Sequence, residues 1–89
     1  MADLIHTHSV RVRGPGGALY EARTYGEPER GGTWKGWLEF RPLPGATGGP
    51  GARVLKTDRE TTQPDRDALD YWAGGLEPVY LEGAIARAK

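Results

Sequence analysis

Residues 57–76 read Thr-Asp-Arg-Glu-Thr-Thr-Gln-Pro-Asp-Arg-Asp-Ala-Leu-Asp-Tyr-Trp-Ala-Gly-Gly-Leu, and this segment decides the fold. One apolar stripe recurs in it at helical spacing: Leu69, Trp72, Ala73 and Leu76. Gly74 and Gly75 predict the end of the helix, because glycine adopts the left-handed conformation freely. We therefore predict a helix from about Gln63 to Ala73 that covers a sheet formed by the preceding residues.

The start of this helix is predicted by capping chemistry. The Thr62 hydroxyl can accept from an amide of the first turn, and Asp65 three residues later gives a box-like pattern. Pro64 is tolerated in a first turn, where its missing N–H costs nothing. Trp72 is expected to pack in the core against the sheet, with stacking on a ligand as the alternative.

Size and composition restrict the function classes. The 89 residues predict a single domain, residues 1–89, with a modest core, and a homodimer that shares apolar surface is expected. Twelve basic and twelve acidic residues give no net charge, which argues against a dedicated DNA-binding protein. The absence of Cys excludes disulfides and zinc–thiolate sites and fits a cytoplasmic location. We expect no cofactor and no metal. No membrane partner is expected either, since no apolar run approaches the roughly 18 residues of a membrane span.

Charge is divided unevenly along the chain. Residues 1–56 contain eight basic and five acidic residues, whereas residues 57–89 contain four and seven. This division is compatible with ordinary solvated surface, including acids near a helix N-terminus. It is also compatible with a polarised molecule that meets an acidic partner with its sheet.

Four strands are predicted before the helix: Leu4–Arg13, Ala18–Tyr25, Thr33–Arg41 and Arg53 to about Arg59. From Val10 onward the first strand alternates, which predicts valines inside and arginines outside. Gly- and Pro-rich residues 42–52 predict a flexible loop.

The third strand separates two faces. Trp34, Gly36, Leu38 and Phe40 are predicted to face the helix, and Gly36 would let Trp72 or the helix backbone approach closely. Trp37 is then left on the second face, where the candidate binding residues are Lys35, Arg41, Arg11 and Arg13. Trp37 can form a subunit interface, stack a nucleic-acid base or pack under a neighbouring loop.

A second candidate site is the polar run from Thr57 to Gln63. Binding residues often lie on loops at the ends of strands, and the candidates here are Asp58, Arg59, Glu60 and Gln63. If the fourth strand continues this far, Asp58 and Glu60 share a face at a separation suited to acid–base chemistry. Solvated carboxylates, or salt bridges to Arg59 or Arg66, are the alternative.

Catalytic and metal patterns are weak. His6 and His8 have the spacing of a two-His pair on a strand, but no Cys or nearby carboxylate accompanies them, so polar edge residues are the alternative. Ser9 and His8 are strand neighbours that point to opposite faces, which does not give a nucleophile–base pair. The sequence therefore predicts a protein that is not an enzyme.

The C-terminal segment begins with Pro78, which suits a first helical position. Leu81, Ala84, Ile85 and Ala88 are helically spaced, although Val79, Leu81 and Ile85 can also form one face of a strand. We predict a helix, with Gly83 as the residue that disagrees.

Two stretches of the chain resemble known proteins. The stretch Trp34-Lys35-Gly36-Trp37-Leu38-Glu39-Phe40-Arg41-Pro42-Leu43-Pro44-Gly45 resembles the third-strand segment of HicB-like antitoxins, and the Thr62-Gln63-Pro64-Asp65 helix start is similar to theirs. The resemblance implies a small α/β domain that binds a toxin partner, but an extra strand intervenes and no C-terminal DNA-binding motif follows. Residues 57–84 also resemble short, uncharacterised bacterial proteins.

Together these patterns predict an α+β domain of order β-β-β-β-α-α, with a mostly antiparallel four-stranded sheet covered on one face. We expect a non-enzymatic protein-interaction or regulatory module. Single-stranded nucleic-acid binding on the aromatic and basic face is the alternative.

Overall fold

The computed structural model describes residues 2–44 and 53–89 and confirms the α+β prediction. The strands are β1 (Asp3–Arg13), β2 (Leu19–Pro28), β3 (Trp34–Pro42), β4 (Leu55–Lys56) and β5 (Thr61–Gln63), and the helices are α1 (Arg66–Gly74) and α2 (Pro78–Arg87). All pairings are antiparallel, in the order β1-β2-β3-β4, and β5 also pairs with β3. The loop predicted at 42–52 lies, from residue 45 onward, outside the described residues.

The first strand is irregular. Its pairing with β2 loses register between Leu4 and His6 and again between Thr7 and Arg11. Val12 is buried as predicted, but Val10 is 37% exposed, so the prediction that both valines face inward is wrong for Val10. The reason is the second irregularity, because extra residues in one strand break the simple alternation of faces.

The β2–β3 hairpin is the regular part of the sheet. Its register runs unbroken from the Tyr20–Pro42 pair to the Pro28–Trp34 pair. The second strand therefore extends beyond Tyr25, where the sequence predicted it to end. Gly31 and Gly32 allow this long hairpin to close, since both have positive φ angles in the turn.

The predicted fourth strand is divided in two. Thr57 bonds to Leu38 of β3 with its backbone and its side chain. Its N–H donates to the Leu38 carbonyl (2.9 Å), and its Oγ1, in place of a backbone carbonyl, accepts from the Leu38 N–H (3.0 Å). Pairing with β3 resumes when the Glu60 N–H donates to the Gly36 carbonyl (2.8 Å). The chain between these contacts forms a bulge at residues 58–59, and β5 is a fifth strand that the sequence did not predict.

Helix α1 begins later than predicted. The Asp65 carboxylate is the cap and accepts from the Ala68 N–H (2.8 Å), whereas the predicted cap, Thr62, lies in β5. The helix ends at Gly74, and Gly75 has a right-handed φ of −93°, so the predicted left-handed stop is wrong. Thr62 cannot cap the helix, because residues 61–63 form β5. Asp65 lies after this strand and directly before the helix, so its carboxylate caps the first turn.

Helix α2 confirms the helical prediction for the C-terminal segment, with Pro78 in its first turn and Arg87 in its last. Gly83 lies within this helix, on its solvent-exposed side. Neither described helix has the length and apolar character needed to cross a membrane.

The helices cover one face of the sheet, and α1 is positioned by a hollow in that face. Gly26 and Gly36 are direct cross-strand partners, and a β-carbon on either would collide with the Leu69 side chain. Leu69 is fully buried there. The predicted close approach at Gly36 is therefore confirmed, but Leu69 makes it instead of Trp72.

Trp72 is only half-buried and meets Tyr80 of α2 edge to face, with 6.1 Å between ring centroids. It packs between the two helices, so the predicted place of Trp72 in the core against the sheet is wrong. A buried hydrophobic cluster lies under α2 instead and contains Val12, Ala18, Tyr20, Ala22, Leu38, Phe40, Leu55, Leu81, Ala84 and Ile85.

Filling the hollow should destabilise the fold. In Gly36→Ala the new β-carbon would lie 2.6 Å from Leu69 Cδ1, and we expect the free energy of unfolding to fall by about 1–3 kcal/mol. Urea unfolding measures the effect. Gly83→Ala is the control, because a β-carbon at this helical position would make only an ordinary contact, 3.8 Å from Arg87 Nη1, and this change should stabilise the protein by up to about 1 kcal/mol.

A Leu69→Ala background tests the cause. Removing the Leu69 side chain should shrink the cost of Gly36→Ala to well under 1 kcal/mol, since the two substitutions share one contact. If Gly36→Ala cost as much in the Leu69→Ala background as in the wild type, the collision with Leu69 would not be the cause of the destabilisation.

Candidate functional site

The sheet face opposite the helices, called the open face below, carries side chains in rows set by the strand register. One row crosses the sheet as Arg11, Glu21 and Arg41, the next as Thr7, Arg23, Glu39 and Lys56, and the third as Leu4, Tyr25 and Trp37. Direct cross-strand partners share a face, so these side chains form one surface. Two of the rows alternate in charge and the third is apolar.

An aromatic pair lies at the centre of the open face. The Tyr25 and Trp37 rings stack with centroids 6.5 Å apart and an interplanar angle of 20°. The indole Nε1 donates to Glu39 (3.3 Å), and the Lys35 ammonium lies 5.6 Å from the indole ring centroid. The pair is half-buried without any cover from the helices, because its neighbours on the sheet surround it.

The tyrosine hydroxyl lies between two guanidinium groups. Arg41 Nη2 donates to it at 3.4 Å. The pKa of Tyr25 is lowered, first by its hydrogen bond with Arg23 and then by that with Arg41, against the effect of burial. The two guanidinium groups, each beside a carboxylate, therefore hold the tyrosine hydroxyl at this end of the aromatic pair.

Most basic groups of the open face have acidic partners. Lys35 lies 3.0 Å from Glu27, Arg23 lies 2.7 Å from Glu21, and Arg41 lies 3.6 Å from Glu39. Each exposed pair contributes little to stability. Together they make the surface one of alternating charge.

An open cleft of about 350 Å³ lies beside the Trp37 ring. Its lining residues are Ala2, Glu27, Lys35, Trp37, Lys56, Thr57, Asp58 and Arg59. The bulge creates it, because residues 58–59 leave the sheet between β4 and β5. Strand bulges are frequent beside functional sites, where they redirect side chains.

One wall of the cleft is held in place by a bidentate ion pair. Arg59 Nη1 donates to Glu29 Oε1 at 2.7 Å, Nη2 donates to Glu29 Oε2, and Nη1 also donates to Thr62 Oγ1 at 2.8 Å. The hydrogen bonds with Arg59 lower the pKa of Glu29. The bulge is thus tied to both the β2–β3 turn and β5.

The structure brings together four of the predicted binding residues, since Lys35, Trp37, Asp58 and Arg59 all line the cleft. Arg11 and Arg41 lie on the same open face, farther along the sheet. Arg13 reaches the hairpin turn, where its guanidinium donates to the Gly17 carbonyl (2.7 Å).

Two predicted residues lie away from this cleft. The Gln63 side chain donates to Thr61 Oγ1 (2.7 Å), and Gln63 pairs with Trp34 at the helix side of the sheet. Glu60 Oε1 accepts from the Tyr80 hydroxyl (2.5 Å) and from Arg87 Nη2 (2.6 Å). Asp58 and Glu60 therefore serve different parts of the molecule and do not act as a carboxylate pair.

Residues that sequence reasoning missed complete the site. Tyr25 is the cross-strand partner of Trp37, and hairpin register between β2 and β3 is the signal that could have identified it. Lys56 lines the cleft because it pairs with Glu39. The long connection between β3 and β4 does not fix which residues pair, so this partner could not be predicted from the sequence.

The contact among Glu60, Tyr80 and Arg87 holds α2 against the sheet. The Glu60 side chain is only 8% exposed. Burial and, next, the hydrogen bond to Glu60 raise the pKa of Tyr80 to about 12. The contact is structural, since its groups bond to one another.

The two histidines lie side by side at the β1 edge, with ring centroids 4.7 Å apart. His8 is buried, and its Nε2 shares a hydrogen bond of 2.8 Å with Thr24 Oγ1. Burial and, to a lesser degree, His6 lower the pKa of His8 to about 4. Within residues 2–44 and 53–89, no group of three or more potential metal-ligating His, Cys, Asp or Glu side chains occurs.

His8 should make stability depend on pH. The folded protein keeps the imidazole neutral down to about pH 4, whereas in the unfolded chain it binds a proton below its ordinary pKa of 6.5. The contribution is therefore fully present above pH 6.5 and is lost as the pH falls toward 4, by about 3 kcal/mol. Urea unfolding between pH 4 and pH 7.5 should show this loss in the wild type and a smaller one in His8→Gln. Parallel curves for the two proteins would contradict it.

Removing the Tyr80 hydroxyl should weaken the attachment of α2. We expect Tyr80→Phe to lower the free energy of unfolding by about 1 kcal/mol, because the Glu60 carboxylate loses one donor. Tyr71→Phe is the matched control, since Tyr71 is 88% exposed and should change little. Equal effects of the two substitutions in denaturant unfolding would refute a structural role for the hydroxyl.

A comparison of this chain with protein-family models, curated proteins and solved structures finds no match.

Proposed function

We propose that this protein is a non-enzymatic protein-interaction module that binds through the open face. The observation that supports the proposal best is the stacked Tyr25–Trp37 pair, surrounded by charged rows of both signs and left uncovered by the helices. We place this activity in the cytoplasm, in keeping with a sequence that lacks Cys.

The composition of the open face matches that of protein interfaces. Trp, Tyr and Arg are the residue types that most often dominate binding energy, and here they are adjacent at the centre of one surface. The Arg23–Glu21 ion pair beside them is partly exposed, so a partner can exchange charges with it at little cost. Binding to a protein is also what the resemblance to HicB-like antitoxins implies.

Self-association is the form of binding to test first. An 89-residue chain has a small core, and a surface with rows of both signs can face a second copy of itself across a two-fold axis. We therefore include a homodimer in the proposal.

Single-stranded nucleic-acid binding is the second candidate, because a stacked aromatic pair beside Lys35 can act as a platform for bases. It has less support than protein binding. The pairing of Lys35, Arg23 and Arg41 with carboxylates leaves little uncompensated positive charge for a phosphate backbone.

Replacing the central indole should abolish association. We expect Trp37→Ser to convert a wild-type dimer to a monomer in light scattering after size exclusion, because the largest apolar side chain of the aromatic pair is lost. Tyr71→Ser is the matched control, since this exposed aromatic lies on the helix side and should leave the mass unchanged.

A monomeric wild type would direct the test to a different partner. Capture by the immobilised protein should then fail with Trp37→Ser and persist with Tyr71→Ser. If neither mass nor capture depended on Trp37, the open face would not be the binding surface. Quenching of the indole by an oligonucleotide at low salt, with no protein association, would favour the second candidate.

A further inference from the structure

We propose that the cleft beside Trp37 binds a short segment of a partner protein that carries an acidic side chain next to an aromatic one. This inference rests on the proposed function and assigns a partner chemistry to one part of the open face. Three features of the cleft support it: an accessible indole, an underused ammonium group and a carboxylate that can accept peptide N–H groups.

The indole is accessible because of the bulge. Tyr25 of β2 stacks on Trp37 from one side of β3. On the other side of β3, β5 pairs only up to Gly36 and β4 pairs only from Glu39 onward, so neither strand pairs with Trp37. Residues 58–59 form the far wall of the cleft at this point. A flat side chain that enters the cleft can therefore contact the indole, and such aromatic contacts contribute beyond area burial.

Lys56 is the least engaged of the three cations that line the cleft. Lys35 is 3.0 Å from Glu27, and Arg59 is held by both oxygens of Glu29. Lys56 Nζ lies 3.8 Å from Glu39, beyond hydrogen-bond distance, and its side chain is 62% exposed. The Glu39 carboxylate accepts a hydrogen bond from the Trp37 indole and not from Lys56. The three N–H donors of the Lys56 ammonium can therefore bind a carboxylate of the partner.

The acidic lining favours a peptide over a nucleic acid. Asp58 and Glu27 line the same cleft as the cations. These carboxylates repel a phosphodiester chain, which carries a negative charge at every nucleotide. A peptide needs only one acidic side chain here, and its backbone N–H groups are donors that the exposed Asp58 carboxylate can accept.

A short peptide with one glutamate next to one tyrosine, in an otherwise uncharged glycine–serine sequence, is the probe for this chemistry. We expect the labelled peptide to bind the wild type in fluorescence anisotropy, with affinity that falls as salt rises. Lys56→Glu should weaken binding about tenfold, because it replaces the least engaged cation with a repelling charge. Arg66→Glu is the matched control for net charge, since Arg66 lies on the helix side in the first turn of α1, and it should change affinity less than about twofold.

Further probes separate this inference from the proposed function. Binding that is lost in Trp37→Ser but unchanged in Lys56→Glu would overturn the cleft inference while leaving the open face as the interaction surface. Equal losses in Lys56→Glu and Arg66→Glu would overturn it as non-specific charge attraction. Tighter binding of an oligothymidylate, or of the same peptide with lysine in place of glutamate, would also overturn it. No binding of the glutamate–tyrosine peptide at low salt would overturn the cleft inference alone, since the light-scattering measurement tests the open face independently.

Discussion

The insertion of Leu69 into the Gly26–Gly36 hollow is the contact on which the architecture depends. Both glycines are buried, and the side chain of α1 occupies the space that two β-carbons would fill. The helix can therefore lie close to a sheet whose other buried residues include the larger Leu38 and Phe40. Because α1 is held on one face, the apolar and charged rows of the opposite face remain uncovered.

The bulge at residues 58–59 performs a second task, which is to open the sheet where binding residues can gather. Thr57 supplies both a donor and an acceptor to Leu38, so the strand is interrupted without leaving that backbone unpaired. Glu60 then resumes the pairing and, with its side chain, holds α2. One short segment thus links the cleft on one face to the helix packing on the other.

Sequence periodicity predicted the regular parts of this fold and missed the irregular ones. The alternation in β3 placed Leu38 and Phe40 inside and Trp37 outside, because a regular central strand obeys its period of two. The exposure of Val10 could not be predicted, since it follows from a loss of register with β2. Lys56 was missed for a related reason: it joins the site through long-range pairing, which local pattern does not encode. The helix starts later than predicted because residues 61–63 pair with β3 and the cap is provided by Asp65.

The broken register of β1 has a consequence for how the molecule behaves in a crowded solution. Within the described part of the chain this strand pairs with β2 on one side only, and its eleven residues would otherwise present a long template for strand addition. The irregularities at Leu4–His6 and Thr7–Arg11 divide that edge into short pieces. An incoming chain would find no long, flat run to hydrogen-bond along, so the same irregularity that exposes Val10 also protects the protein from edge-to-edge aggregation.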